Sequence, residues 1–147
     1  MKKAPDRPGM RPGRAVFNYI EHELYCYQAT RQELEVLREE IIAGATPREV
    51  AVAGGWHPDP TGRKAVRLLT NAALARMTRV VRAVDRALAR LDESHRRLFV
   101  LRYQQCRSWP NVCQEMALSE RSYFRLRREL VLAVAYELGL VTEIPQA

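Results

Sequence analysis

Apolar residues recur along this chain at helical spacing, and the interruptions divide it into segments. Val16, Ile20, Leu24 and Tyr27 follow steps of three or four, and Leu34, Leu37 and Ile41 resume them, so 14–43 reads as helix. Thr30-Arg31-Gln32-Glu33 lies between the two stretches at capping-box spacing, which leaves one kinked helix or two helices breaking near Gln28–Thr30. Gly44 supplies a stop. Thr46-Pro47-Arg48-Glu49 starts a short helix through Val52, ended by Gly54-Gly55. Thr61 is read as the N-cap of the longest element. There Val66, Leu69, Ala73, Met77, Val80, Val84, Leu88 and Leu91 recur at steps of three or four. Some 30 residues at 1.5 Å each make a rod of roughly 45 Å.

The last third has a denser pattern. Asp92 is read as an N-cap, with Leu98, Phe99, Leu101 and Tyr103 as the apolar side of a helix ending near Cys106. Ser108 caps a short helix over 109–116, Ala117-Leu118 forms a tight turn, and Ser119 caps a helix over 120–138 stopped by Gly139. Val112, Met116, Leu118, Tyr123 and Leu126 face inward, with the small Cys113 where the two helices approach. Glu120, Arg121, Ser122, Arg125 and Arg128 face outward. This is helix-turn-helix arithmetic; the competing reading is an ordinary helical hairpin. The fold class expected is all-α: N-terminal helices and one long central helix, then the helix-turn-helix.

Charge sharpens this picture. The 147 residues carry a net +7, yet 1–60 hold eight Lys and Arg against nine Asp and Glu, a net of −1. Residues 61–147 hold sixteen against eight, a net of +8. Of the 24 cations 21 are arginine, the side chain suited to bidentate contacts with phosphate and guanine. On the long helix Arg63, Lys64, Arg67, Arg76, Arg79, Arg82, Arg86 and Arg90 face only Asp85. Such a surface either lies along a polyanion or meets the acidic first helix with Glu33, Glu35, Glu39 and Glu40. Residues 1–13 place Lys2, Lys3, Arg7 and Arg11 among prolines and glycines, an unstructured arm that is either a mobile tail or a minor-groove contact.

Several function classes drop out. An apolar fraction of 47% suits a packed core, and no uncharged apolar run is long enough to span a membrane. The basic start has no apolar segment behind it, so no secretory signal is expected. The three cysteines form no CxxC pair and read as free thiols in a reducing cytoplasm. His57 and Asp59 sit in a Pro-flanked loop without a third ligand, so neither a metal site nor an acid–base pair is read there. The chain has no Gly-rich phosphate loop, no HExxH and no GxSxG; the expectation is a protein that is not an enzyme and has no cofactor.

The segment from Leu91 to Leu138 resembles the promoter-reading fourth region of bacterial sigma factors. Leu91, Glu93, Arg96, Leu101-Arg102-Tyr103, Ser108-Trp109, Val112-Cys113 and Leu118-Ser119 carry the likeness. Ala117 stands where that pattern has Gly, and a left-handed residue there costs Ala roughly 1 kcal/mol. More of the chain is similar to phage late-gene transcriptional regulators of the ArpU/RinA type. The matching runs are Ile20-Glu21-His22-Glu23-Leu24-Tyr25, Asp59-Pro60-Thr61-Gly62-Arg63-Lys64-Ala65, Leu69-Thr70-Asn71 and Tyr123-Phe124-Arg125-Leu126-Arg127-Arg128. The resemblance implies a small activator of phage or prophage late genes with a helical N-terminal part before a sigma-like helix-turn-helix.

The residues and the resemblance together give these expectations. Double-stranded DNA is the partner, with Glu120, Arg121, Ser122 and Arg125 at base edges and Arg107, Ser108, Ser119 and Arg128 at phosphates. Residues 92–140 form the DNA-binding domain and 141–147 a tail. The region 14–91 serves for homo-oligomerisation or contacts host RNA polymerase. The expected location is the bacterial cytoplasm, at the nucleoid. The alternative is a DNA-packaging recognition protein resembling a phage small terminase subunit, which would assemble as a ring.

Overall fold

The computed structural model describes residues 12–43 and 60–142, and every regular element among them is helical. In chain order these are α1 (Arg14–Ile42), α2 (Pro60–Arg90), α3 (Glu93–Phe99) with a π-helical turn (Val100–Gln104), α4 (Trp109–Met116) and α5 (Glu120–Glu137). The basic arm up to residue 11, Gly44, the short helix read at 46–52, His57, Asp59 and the tail beyond 142 fall outside the described residues.

Of the two readings left open for 14–43, the uninterrupted helix is the one observed. No Gly or Pro occurs between 14 and 42, so nothing there removes a backbone hydrogen bond or relaxes φ. The Thr30–Glu33 spacing is therefore spent inside a helix rather than at its start. The long helix opens at Pro60, so Thr61 lies within it and is not its cap. Proline suits a first helical position because its φ is already right and its missing N–H would have had no partner.

The described residues divide into two compact units, one made of 12–26 with 83–142, the other of 27–43 with 60–82. Both long helices contribute to each. The first unit holds most of the buried apolar residues: Ile20 and Leu24 from α1, Ala83, Val84 and Ala87 from α2, then Leu98, Phe99, Leu101, Tyr103 and Val112. Tyr123 and Leu126 are buried on one side of α5, and from 130 to 135 every residue of α5 is buried. The helix thus begins half-exposed and ends surrounded. It packs against α3 and α4, and α4 packs against the π-helical turn.

The helix ends in this unit are closed by specific groups, as orphan backbone donors and acceptors require. Arg96 Nη1 donates to the carbonyls of Leu88 (3.0 Å) and Leu91 (2.5 Å) at the end of α2. The Asp92 carboxylate accepts from the His95 backbone N–H at 3.1 Å. Ala117 takes the left-handed conformation (φ 52°, ψ 43°), the Leu118 N–H reaches the Cys113 carbonyl at 2.9 Å, and the Ala117 N–H reaches Gln114 at 3.4 Å. That is a Schellman closure made without glycine. The same bonding pattern ends α5 at Gly139 (φ 73°). Cys106 (φ 52°) closes the π-helical turn, where the Arg107 N–H bonds the Leu101 carbonyl at 3.0 Å.

In the second unit Tyr27, Leu34, Met77, Val80 and Val81 are buried, whereas Val36, Ile41, Ile42, Val66, Leu68 and Leu69 are exposed. Arg31 pairs with Glu35 one turn on at 3.6 Å and donates to the Tyr27 hydroxyl at 3.4 Å, both along α1.

Candidate nucleic-acid interface

The turn at Ala117 reverses the chain so that α4 and α5 meet with Val112, Tyr123 and Leu126 buried. The start of α5 is set by Ser119. Its Oγ accepts from the Ser122 N–H at 3.1 Å and its hydroxyl donates to the Ser122 Oγ at 2.9 Å. Beyond this cap, Arg121, Ser122, Arg125 and Arg128 line an open cleft of about 490 Å³. At about 100° per residue the three arginines fall within roughly 60° of one another around α5. All three are exposed, and among the described residues none has an ion-pair partner. Three guanidiniums without an ion pair among the described residues, the first of them in the opening turn of α5, make a local field suited to a polyanion.

Of the residues expected at base edges, Arg121, Ser122 and Arg125 come together in this cleft, and Glu120 is exposed at the first position of α5. Glu120 also acts on Cys113, whose thiol is pushed up by burial and then by that carboxylate. Of the four expected at phosphates, Arg128 lines the cleft. Ser108 holds the N-cap position of α4 and its carbonyl accepts from Val112 at 3.1 Å, but its hydroxyl makes no capping bond. The Ser119 hydroxyl is committed to Ser122. Arg107 forms an ion pair with Glu115 of α4, so its charge is already met by a carboxylate. On α2, Arg90 bonds Glu137 at 2.5 Å and lies 5.3 Å over the Tyr136 ring.

The residues that hold α5 in place were not read from spacing. Arg127 forms a fork with Glu21 of α1, Nε to Oε1 and Nη2 to Oε2, each at 2.6 Å. The Tyr103 hydroxyl donates to the same Oε1 at 3.0 Å. Burial, then Glu21, pushes the Tyr103 hydroxyl far above its usual range, while the hydrogen bonds to Glu21 raise Arg127 further. The Arg127 guanidinium sits 5.0 Å from the Phe17 ring and 5.9 Å from Phe124. Trp109 at the head of α4 stacks near Phe124 (5.6 Å) and Tyr123 (6.2 Å). On the other flank His95 faces Asp92 through Nδ1 at 2.6 Å and Glu129 of α5 through Nε2 at 2.8 Å. A faint signal for the Glu21–Arg127 pair exists: each residue borders an apolar stripe, Glu21 beside Ile20 and Leu24, Arg127 beside Tyr123, Leu126 and Leu130.

Comparison with known proteins adds one relative. The chain is similar to the transcriptional activator rinA of Staphylococcus phage phi11. The two are 24% identical over 123 residues, which covers 82% of this chain and 88% of that protein. A match of that length is more than twice the length of 92–140, so it includes residues of the N-terminal region, in line with the resemblance to RinA-type regulators. No family model and no solved structure matches the chain. No helix among the described residues is long and apolar enough to cross a membrane.

Proposed function

We propose that the chain is a sequence-specific DNA-binding transcriptional activator of phage or prophage late genes, with the outward face of α5 in the major groove. The observation that carries this is the cleft lined by Arg121, Ser122, Arg125 and Arg128 on the free side of a helix whose other side is buried. The α4–turn–α5 arrangement, the likeness of 91–138 to the fourth sigma region and the similarity to rinA support it. In this reading the side chains of Arg121 and Arg125 reach base edges and Arg128 a phosphate, with Ser108 at the head of α4 beside the backbone. The protein acts in the cytoplasm of the bacterial host and has no catalytic role. The exposed Ile42, Leu68 and Leu69 support a second copy of the chain, or host RNA polymerase, as partner of the N-terminal region.

Selection of bound sites from a random duplex library tests the reading. A discrete motif is expected. Affinity for that motif should fall with salt with a log–log slope of about −4 to −5, as release from ~5 phosphates implies. A slope near zero, or no enriched motif, would remove the DNA-binding assignment.

A further inference from the structure

We propose that Glu21 of α1 is the positioning residue that sets the rotation of α5 and so aims Arg121, Arg125 and Arg128 at the duplex; this rests on the DNA-binding reading above. Arg127 belongs to the same run of cations as Arg125 and Arg128, yet it points elsewhere. It lies between about 100° and 160° round the helix from the three cleft arginines. Its fork with Glu21 has two parallel bonds of 2.6 Å, and the two side chains are only 25% and 16% exposed. A single charge contact sets a distance, whereas a bidentate guanidinium–carboxylate pair also sets a plane. Tyr103 holds the carboxylate from the π-helical turn at 3.0 Å, and Phe17 lies against the guanidinium. Three elements therefore converge on one carboxylate. In the half-exposed first part of α5, apolar contacts by themselves would fix rotation less sharply, because they are not directional, and His95–Glu129 and Arg90–Glu137 hold only its second half. The fork fixes that rotation, and a turn of the helix that would break it is the turn that would swing the cleft arginines off the groove.

The test uses the full chain. A preferred duplex is selected with the unaltered protein, and binding to it is measured beside a scrambled duplex of equal length at one salt concentration. The variants are Glu21→Gln, Glu21→Ala and Arg127→Lys, with Glu35→Gln as a control that makes the same charge change on an exposed residue. All are assayed well below their melting midpoints, with helicity checked by circular dichroism. Glu21→Gln and Arg127→Lys are expected to lower the ratio of preferred to scrambled affinity by about tenfold. Binding to scrambled duplex should persist, since the three cleft arginines remain, and Glu35→Gln should leave the ratio unchanged. A purely structural role would lower the melting temperature and leave the ratio alone, which would overturn the proposal. If Glu21→Ala fails to fold, the two conservative variants decide. Loss of fold in all three would also overturn it, by showing a stability element and nothing more. If the unaltered protein prefers no duplex, the DNA-binding reading itself fails, an outcome distinct from variants that behave like the parent.

Discussion

The two compact units are made from the same kind of amphipathic helix and finish it differently. In the unit containing α3–α5, no large apolar residue among the described ones is more than 45% exposed, and polar pairs join α1, α2 and α3 to α5. In the unit of 27–43 and 60–82, Leu69 is 72% and Ile42 85% exposed. Both regions show apolar residues at steps of three and four. Such a stripe states that a helix has a surface to bury; whether it is buried depends on how many other elements face it. Five helical segments converge in the first unit, and two helix halves make up the described part of the second.

The widest separation between the units should appear in stability. Leu130→Ala or Leu126→Ala should cost roughly 2–5 kcal/mol in denaturant unfolding, because each leaves a cavity in a closed core. Leu69→Ala should stay within about 0.5 kcal/mol, as exposed substitutions do. An equal cost at Leu69 would mean that the exposed stripe is covered in solution, and its dependence on protein concentration would identify a second copy as the cover.

Within the first unit the comparison narrows to the two sides of α5. Arg127→Ala strands the Glu21 carboxylate in a part-buried site and should destabilise by about 2 kcal/mol or more. Arg125→Ala, which breaks no pair among the described residues, should leave the unfolding curve nearly unchanged and weaken specific DNA binding by ~1–3 kcal/mol. If the two variants exchange these phenotypes, the helical phase assigned to α5 is wrong.

Smaller effects probe the helix ends. Ala117 sits at φ 52°, so Ala117→Gly should stabilise by about 1 kcal/mol, read as a shift in denaturant midpoint at constant slope. Gly139→Ala, at φ 73°, should shift it the other way by a similar amount. The smallest effect concerns Asp92. Burial pulls its carboxyl upward, but the hydrogen bonds from the His95 ring and backbone outweigh this and leave it below the usual carboxylate range. A depressed folded value means that the contribution is complete above the ordinary carboxylate range and fades as pH falls through the folded value. The stability advantage of the parent over Asp92→Asn should therefore shrink between about pH 5 and pH 2. Asp92 is 67% exposed, so the change should be slight.

Much of the secondary structure was legible because its causes are local. Asp92 and Ser119 cap helices because a short oxygen-bearing side chain can reach an N–H three residues on, and both bonds are present. The tight turn at Ala117-Leu118 follows from its place between two amphipathic runs, whereas its left-handed conformation is implied only by the likeness to the fourth sigma region, which has Gly there. The outward face of α5 followed from a period of 3.6, which is why Arg121, Ser122, Arg125 and Arg128 could be grouped before any fold was known. With Thr61 as N-cap the expected start of α2 falls two residues after the observed one, because Pro60 and Thr61 each carry a helix-start signal. The capping spacing at Thr30 was outvoted by continuous helix on both sides.

What the chain determined by itself, then, is its all-helical content, most helix ends and the cationic face of α5, since each depends on residues within one or two turns. Tertiary structure alone decided which charges stay available. Arg107 is met by Glu115 eight residues away, Arg90 by Glu137, and Arg127 by Glu21 across 106 residues. Charge patterning along a sequence cannot separate a cation kept for a ligand from one spent on a neighbour. That distinction arises only when packing brings a distant carboxylate within hydrogen-bond reach, and in this protein it turned Arg127 inward while Arg125 and Arg128 remained exposed.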